Sequence, residues 1–353
     1  MNSYFEIYDE DFTALGIVDV FNELVWERRY FEAGYFELHA PATANNSQLI
    51  KEGRILYKPN SEESGYITCV RRYTSDGREL MTAYGRFLSF RFRKKVIKGD
   101  YEYTGTAEAF MTKLVNDVLL NSDNDDYFPR LKLGTLNNCK GRFSGVVGYG
   151  DLHDTLKKIA EESGTAFRLR FSPEERFYIF ECYEGADKSI NQTVNPQMVF
   201  SEEYDNILSE SELTTDLTPL VNAVTARYYG ELGEVVVEYN PTGATGKQKN
   251  EVYVEGKAVT MKNSEGETVL NVSATRKKLL QLAKEKIKPV SFDFSASVSY
   301  EGSYKSDYEL GDIVTIYHKK WGITEHKRIS AITENTTEAG FSVIPVFSTI
   351  LSN

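Results

Sequence analysis

The chain has 353 residues, 41% hydrophobic and 13% aromatic, which suits two or three cored domains and excludes a disordered chain. A net charge of −11 argues against nucleic acid as the main partner, because such binders need a basic footprint, although an acidic wall is compatible with DNA sliding past without sticking. Three cysteines (Cys69, Cys139, Cys182) are too few and too scattered for a disulfide framework or a zinc site, and Cys69 and Cys182 lie in strand-like runs that predict buried thiols.

Residues 1–98 read as all-β. Tyr4–Tyr8 is a short strand ended by the turn cluster Asp9-Glu10-Asp11. Leu15–Phe21, Leu24–Tyr30 and Tyr35–His39 continue it, with Gly34 as a break. Gly65–Tyr73 and Arg78–Tyr84 are joined by Ser75-Asp76-Gly77, a hairpin signal, and Arg86–Val96 reads as an extension of that strand. Ser47–Glu52 is the one short helix candidate here.

The period then changes. Ala107, Phe110, Met111, Leu114, Val115, Val118 and Leu119 make a full apolar stripe at helical spacing, with Thr104 or Thr106 as its N-cap. A second helix is expected from Asp151 to Ser163, burying Leu152, Leu156, Ile159 and Ala160 and stopped by Gly164. Phe167–Phe171 and Phe177–Tyr183 then form a hairpin. Strands return over Asn206–Thr215, Leu220–Tyr229, Glu234–Tyr239 and 251–261. A last helix, Ala274–Lys288, is expected with Ser273 as cap and Pro289 as stop.

From Val290 to Phe347 the chain is consecutive strands. Phe292, Phe294, Ala296 and Val298 alternate with polar residues up to Tyr300, Glu301-Gly302-Ser303 turns the chain, and Leu310-Gly311-Asp312 launches Ile313–Tyr317. No repeat is visible residue by residue. The order of β, α+β and β regions nevertheless suggests two barrels. The predicted class is α+β, mainly β, with two tube-type β-barrel domains. The first barrel covers 1–98, an α+β insert 99–200, the second barrel 201–240 and 289–353, and a small insert with a hairpin and basic helix 241–288. No apolar stretch reaches membrane-spanning length, and Met1–Glu6 lacks the features of a leader.

Candidate sites are sparse. Cys139, His153, Asp151 and Asp154 could form a cysteine-nucleophile set, but no nucleophile signature surrounds them and His153 is expected on a polar helix face. Asn121, Asp123, Asp125 and Asp126 begin like a calcium loop, yet Asp126 stands where glycine belongs and Lys132 where the closing glutamate belongs, so a solvated loop is expected. Arg86–Lys95 interleaves aromatics with bases, as a single-strand nucleic-acid clamp does, but is read as a half-buried strand with Phe inward and Arg outward, its bases available to an acidic partner surface. Arg276, Lys277, Lys278, Lys284, Lys286 and Lys288 make the last helix basic over an inward face of Leu279, Leu282, Ala283 and Ile287, a solvated face first and a docking surface second. His39, His153, His318 and His326 have no metal-ligand spacing. No catalytic, cofactor or metal residue is assigned.

Several phrases carry a resemblance. They are Tyr4-Phe5-Glu6-Ile7-Tyr8-Asp9, Leu15-Gly16-Ile17-Val18-Asp19, Trp26-Glu27-Arg28-Arg29-Tyr30, Ala33 through Pro41, Asp151 through Leu156 with Gly164–Phe167, and Leu310-Gly311-Asp312-Ile313-Val314. Together they resemble the tail-hub proteins of siphoviruses and prophages, similar in fold to the central hub of contractile tails. The resemblance implies two tube-like barrels per subunit and a homotrimer whose six barrels continue the tail tube. It implies a structural role in the virion tail, between tube and tip, with a tail tube or distal tail protein, the tape-measure protein and tip or fibre proteins as partners, and DNA passing through the lumen. Relatives often carry a C-terminal peptidase, lysin or fibre module. This chain stops at Asn353, so no enzyme activity is expected. A tail-associated cell-wall hydrolase, or a receptor- or carbohydrate-binding tip module using Trp26, Trp321 and tyrosines, are the alternatives; Trp26 is expected in the core.

Overall fold

The structure, a computed structural model, describes residues 4–122, 125–204, 206, 211–296, 304–338 and 340–349. The calls on Val298–Tyr300 and on the turn at 301–303 therefore lie outside the described residues. The protein is mainly β with four helices among the described residues.

One 11-stranded sheet runs through both ends of the chain. Its order is Val199–Phe200, Ile313–His318, Ile323–Thr337, Glu23–Arg29, Tyr35–Pro41, Arg78–Phe87, Gly65–Ser75, Ile55–Tyr57, Phe5–Tyr8 and Ala14–Val18, with Gly340–Thr349 paired to Ile323–Thr337 beside this path. The two halves meet where Ala331–Thr337 runs antiparallel to Glu23–Arg29. Period-two alternation explains the burial: Leu24, Trp26, Arg28 and Tyr30 all point inward. Trp26 is fully buried, as expected, and packs on Phe36 and Phe87. Phe5, Ile7, Leu24, Trp26, Phe36 and Leu38 belong to one core, and Leu310, Val314, Ile316, Ile329, Ile332 and Phe347 to another.

The α+β unit between them is built on a third core, which Tyr8, Phe12 and Ile55 of the N-terminal region join. Helix α2 (Ala107–Leu119) buries the whole predicted stripe, and α3 (Leu152–Ser163) is capped by the Asp151 carboxylate and ended by Gly164 at φ 77°. Both pack by Leu131–Leu133, Ala166–Ser172 and Phe177–Tyr183, a three-stranded sheet. A fourth core joins Val224, Ala226, Val235 and Val237 to Leu279 and Ala283 of α4 (Val272–Lys286). Within it Ala223–Gly230 pairs with Gly233–Tyr239 and Glu251–Glu255, while Ser211–Asp216 pairs with Ser291–Ala296.

Several local expectations change. The strand beginning at Arg78 ends at Phe87, and Leu88–Phe92 is a 3-10 turn. Burial of Leu88 and Phe92 in the α+β core draws the chain off the sheet there. Helix α1 is Ala44–Leu49, three positions earlier than the expected start at Ser47, because Thr43 rather than a later residue caps it. Asn271, not Ser273, caps α4 by accepting the Ala274 N–H. Cys182 is buried as expected, but Cys69 is exposed. The bulge between Ile67 and Cys69 breaks the alternation, so Val70 rather than Cys69 packs against the core.

The backbone contains a repeat that the side chains hide. Gly65–Ser75 with Arg78–Phe87, and Ile323–Thr337 with Gly340–Thr349, are antiparallel pairs whose closing partners are Ser75 with Arg78 and Thr337 with Gly340. Both carry a bulge at the same place, between Ile67 and Cys69 and between Ile329 and Ala331. The preceding strands share one register: Ile55 faces Tyr66 and Ile313 faces Arg328. Even the approach matches. Gly53 N–H donates to Ile67 O and Gly311 N–H to Ile329 O, each at 2.9 Å, and Ile67 and Ile329 return N–H bonds to Arg54 O and Asp312 O, each at 2.9 Å. Gly53 and Gly311 both sit at positive φ, 82° and 92°.

Candidate assembly surfaces

The seam between the halves is held by buried charge. Arg28, at an inward position on an otherwise apolar strand, donates Nε to Glu63 Oε2 at 2.8 Å and Nη1 to Glu309 Oε1 at 2.7 Å and to the Tyr304 hydroxyl at 3.0 Å. Burial alone would weaken its charge; Glu63, Tyr304 and Glu309 more than offset this and hold the guanidinium protonated. Tyr304 in turn donates to Glu334 Oε1 at 2.7 Å, and Lys58 pairs with Glu334 Oε2 while its Nζ lies 5.5 Å from the Trp26 ring centroid. Strands and loops from both ends of the chain thus share one network.

Tyr30 ties in the α+β unit. Its hydroxyl donates to Gly164 O at 3.0 Å and accepts the Gly185 N–H at 3.1 Å, and Arg328 stacks on its ring at 5.0 Å. Burial pushes this phenol up to about 12. Sequence reading missed these residues because their partners are remote. The available signal was Arg28 itself, a charge in the inward phase of Leu24, Trp26 and Tyr30.

The opposite face of the seam is polar. Glu23 stands between Thr337 and His39, and Glu27 between Thr333 and Tyr35, on three neighbouring strands. Glu27 pairs with Arg29 at 2.6 Å and Glu37 Oε1 lies 2.8 Å from His39 Nε2, so the face is hydrophilic.

The sequence candidates do not converge. Among the described residues no hydrogen bond joins Cys139 to His153. The Cys139 thiol is pushed up to about 12, by burial first and Glu108 next, and its N–H donates to Glu108 Oε2 at 2.9 Å. His153, expected on a polar face, is buried between Phe90 and Phe167, because the first turn of α3 packs onto the 3-10 turn. Its Nε2 accepts the Ala33 N–H at 3.4 Å, so the neutral ring carries its proton on Nδ1, facing Asp154 Oδ1 at 3.6 Å. Burial lowers this imidazole's pKa, more than Asp154 restores it. Ligand atoms of Asp151, His153 and Asp154 lie within 4.8 Å of one another. That cluster does not suit a metal: Asp151 spends Oδ1 on the Asp154 N–H and Oδ2 on the Lys94 N–H, and Asp154 Oδ1 holds Arg93 at 2.7 Å.

In the calcium-like loop, Asp123 lies outside the described residues, and Asp126 faces Lys95 at 3.5 Å and Lys98 at 3.3 Å. The basic residues of 86–95 meet this chain's own groups: Arg86 stacks over Tyr35 and Phe90, Arg91 reaches Glu10 and Arg93 reaches Asp154. The basic face of α4 does likewise, through Lys277 to Glu102 and Lys284 to Glu162. Trp321 is half-exposed and stacks on His318 at 3.8 Å.

Against known proteins, residues 4–347 match the family described as siphovirus ReqiPepy6 Gp37-like protein. No curated protein matches the chain. Three solved structures share its fold. The 43 kDa tail protein of prophage MuSo2 from Shewanella oneidensis is 11% identical, with a TM-score of 0.59 and 98% of each chain covered. The tail protein from Neisseria meningitidis MC58 is 13% identical, with a TM-score of 0.57 and 99% and 97% covered. Prophage tail protein gp18 from Listeria monocytogenes EGD-e is 12% identical, with a TM-score of 0.54 and 99% and 95% covered. Family and fold together define the class of phage and prophage tail proteins. Within it, the chain belongs to the siphovirus ReqiPepy6 Gp37-like family.

Proposed function

We propose that this protein is a structural hub of a phage or prophage tail, a homotrimer that joins the tail tube to the tip. The observation that carries this reading is the repeated hairpin module, present at both ends of one chain and fused edge to edge through Glu23–Arg29 and Ala331–Thr337. A chain that builds two neighbouring wall segments from one module is suited to a ring. Three such chains would supply six segments, each module completing a tube-type barrel, and contacts between unlike surfaces close such a ring. The polar face around Glu27, Thr333 and Asn335 is the side we assign to the lumen, where DNA would pass without being gripped. Tail tube, tape-measure and tip proteins are the partners this position implies.

The role is non-enzymatic in this reading. The high thiol pKa of Cys139 and the committed carboxylates Asp151 and Asp154 support that choice over a cell-wall hydrolase. Immunogold labelling of purified tails tests the position. Gold at the junction of tube and tip is expected; gold along the tube shaft, or only on detached fibres, contradicts it.

A further inference from the structure

The two hairpin modules differ in one respect. In the C-terminal module the far half of the first strand, Ala331–Thr337, carries Glu23–Arg29 on its outer edge. The matching stretch of the N-terminal module, Cys69–Ser75, pairs only with the return strand of its own hairpin among the described residues. Exposure follows the pairing. Ala331, Ile332 and Glu334 are buried, whereas Cys69, Arg71, Arg72, Thr74 and Ser75 are exposed. Val70, the counterpart of Ile332, gives its N–H to Glu52 Oε1 at 3.2 Å instead of to a neighbouring strand. An open strand edge of this kind is a template for pairing.

The chain holds a second open edge that fits it. Glu23–Arg29 pairs with Tyr35–Pro41, which pairs with the N-terminal hairpin's return strand, Arg78–Phe87. In the other half, Ser211–Asp216 pairs with Ser291–Ala296, which runs beside the C-terminal return strand, Gly340–Thr349. Ser211–Asp216 therefore stands to the second module as Glu23–Arg29 stands to the first. Its outer edge has no strand partner among the described residues.

We propose that Ser211–Asp216 of a second copy pairs antiparallel with Cys69–Ser75, repeating between copies the seam that Glu23–Arg29 and Ala331–Thr337 form within one. The inference rests on the proposed association of copies and adds where they meet. Charge supports the match: one edge carries exposed Arg71 and Arg72, one on each face of the strand, and the other edge carries exposed Glu212 and Asp216. The two edges are different surfaces, so the contact propagates head to tail around a ring rather than pairing two copies face to face.

Cys69 is exposed and native, which makes the test direct. Single cysteines are added to the full chain at Glu212, Thr214 or Asp216, and mild oxidation is followed by gel analysis, with light scattering on the same samples. At least one variant is expected to form an intermolecular disulfide that Cys69→Ser abolishes. An oligomer without any Cys69-dependent link overturns this seam while leaving the association of copies intact. A monomer at every concentration overturns both. As a second arm, Arg71→Glu with Arg72→Glu is expected to weaken association roughly tenfold or more, with recovery in a chain that also carries Glu212→Lys and Asp216→Lys. An unchanged affinity in the first variant overturns the proposal.

Discussion

Arg28 Nε lies 2.8 Å from Glu63 Oε2 with both side chains withdrawn from water, and the same guanidinium reaches Glu309 near the other end of the chain. A buried pair of this kind adds little to stability over an apolar pair, but breaking it strands a charge. Arg28→Met is expected to destabilise the fold by about 3–5 kcal/mol, read as a lowered denaturant midpoint. Arg28→Met with Glu63→Leu should recover part of the loss. A single variant as stable as the parent would show that the seam does not depend on this network.

Acid should loosen the same seam. Burial pushes the Glu334 carboxyl up, but Lys58 and Tyr304 outweigh it and hold the group below the ordinary range. A depressed carboxyl contributes stability that is present above its unfolded value, about 4.3, and lost as pH falls through the folded value. The thermal midpoint is therefore expected to drop below about pH 4.3, and Glu334→Gln to flatten that drop while lowering stability at neutral pH. A profile identical in parent and variant would remove Glu334 from the account.

The repeat makes a paired prediction. Gly53 and Gly311 share φ and hydrogen bonding, yet a Cβ on Gly53 would meet only the Tyr66 hydroxyl at 3.8 Å, whereas one on Gly311 would lie 2.1 Å from the Tyr30 ring. Gly53→Ala should cost about 1–2 kcal/mol from backbone strain alone. Gly311→Ala should cost a further 1–3 kcal/mol, roughly, from overpacking against Tyr30. Equal costs in urea unfolding would contradict the placement of Tyr30 against Gly311.

Thiol chemistry separates the three cysteines. Cys69 is exposed, while burial raises the thiols of Cys139 and Cys182. In the native protein one cysteine should react rapidly with a thiol reagent and the other two only after denaturation. Rapid native labelling of Cys139 would revive the nucleophile reading.

Much of the local structure was legible because it is written in local signals. The stripe from Ala107 to Leu119 and the Asp151 cap with Gly164 placed α2 and α3 nearly to the residue. What stayed hidden was set by remote contacts. His153 looked polar by position on its helix, but Ala33, Phe90 and Phe167 close over it. Cys69 looked buried by strand pattern, but a bulge just before it puts Val70 in its place against the core. The hairpin repeat was invisible because its two copies face different surroundings: Ile332 and Glu334 lie between two strands, whereas among the described residues their counterparts Val70 and Arg72 pair only with the return strand of their own hairpin. Backbone geometry kept the match after side-chain identity had lost it.

Copies of this chain are proposed to close into a trimeric hub, and light scattering of the 353-residue chain across a concentration series tests this. A mass three times that of the 40.1 kDa chain, holding as the sample is diluted, is the expected result. A mass of one chain at every concentration would contradict it.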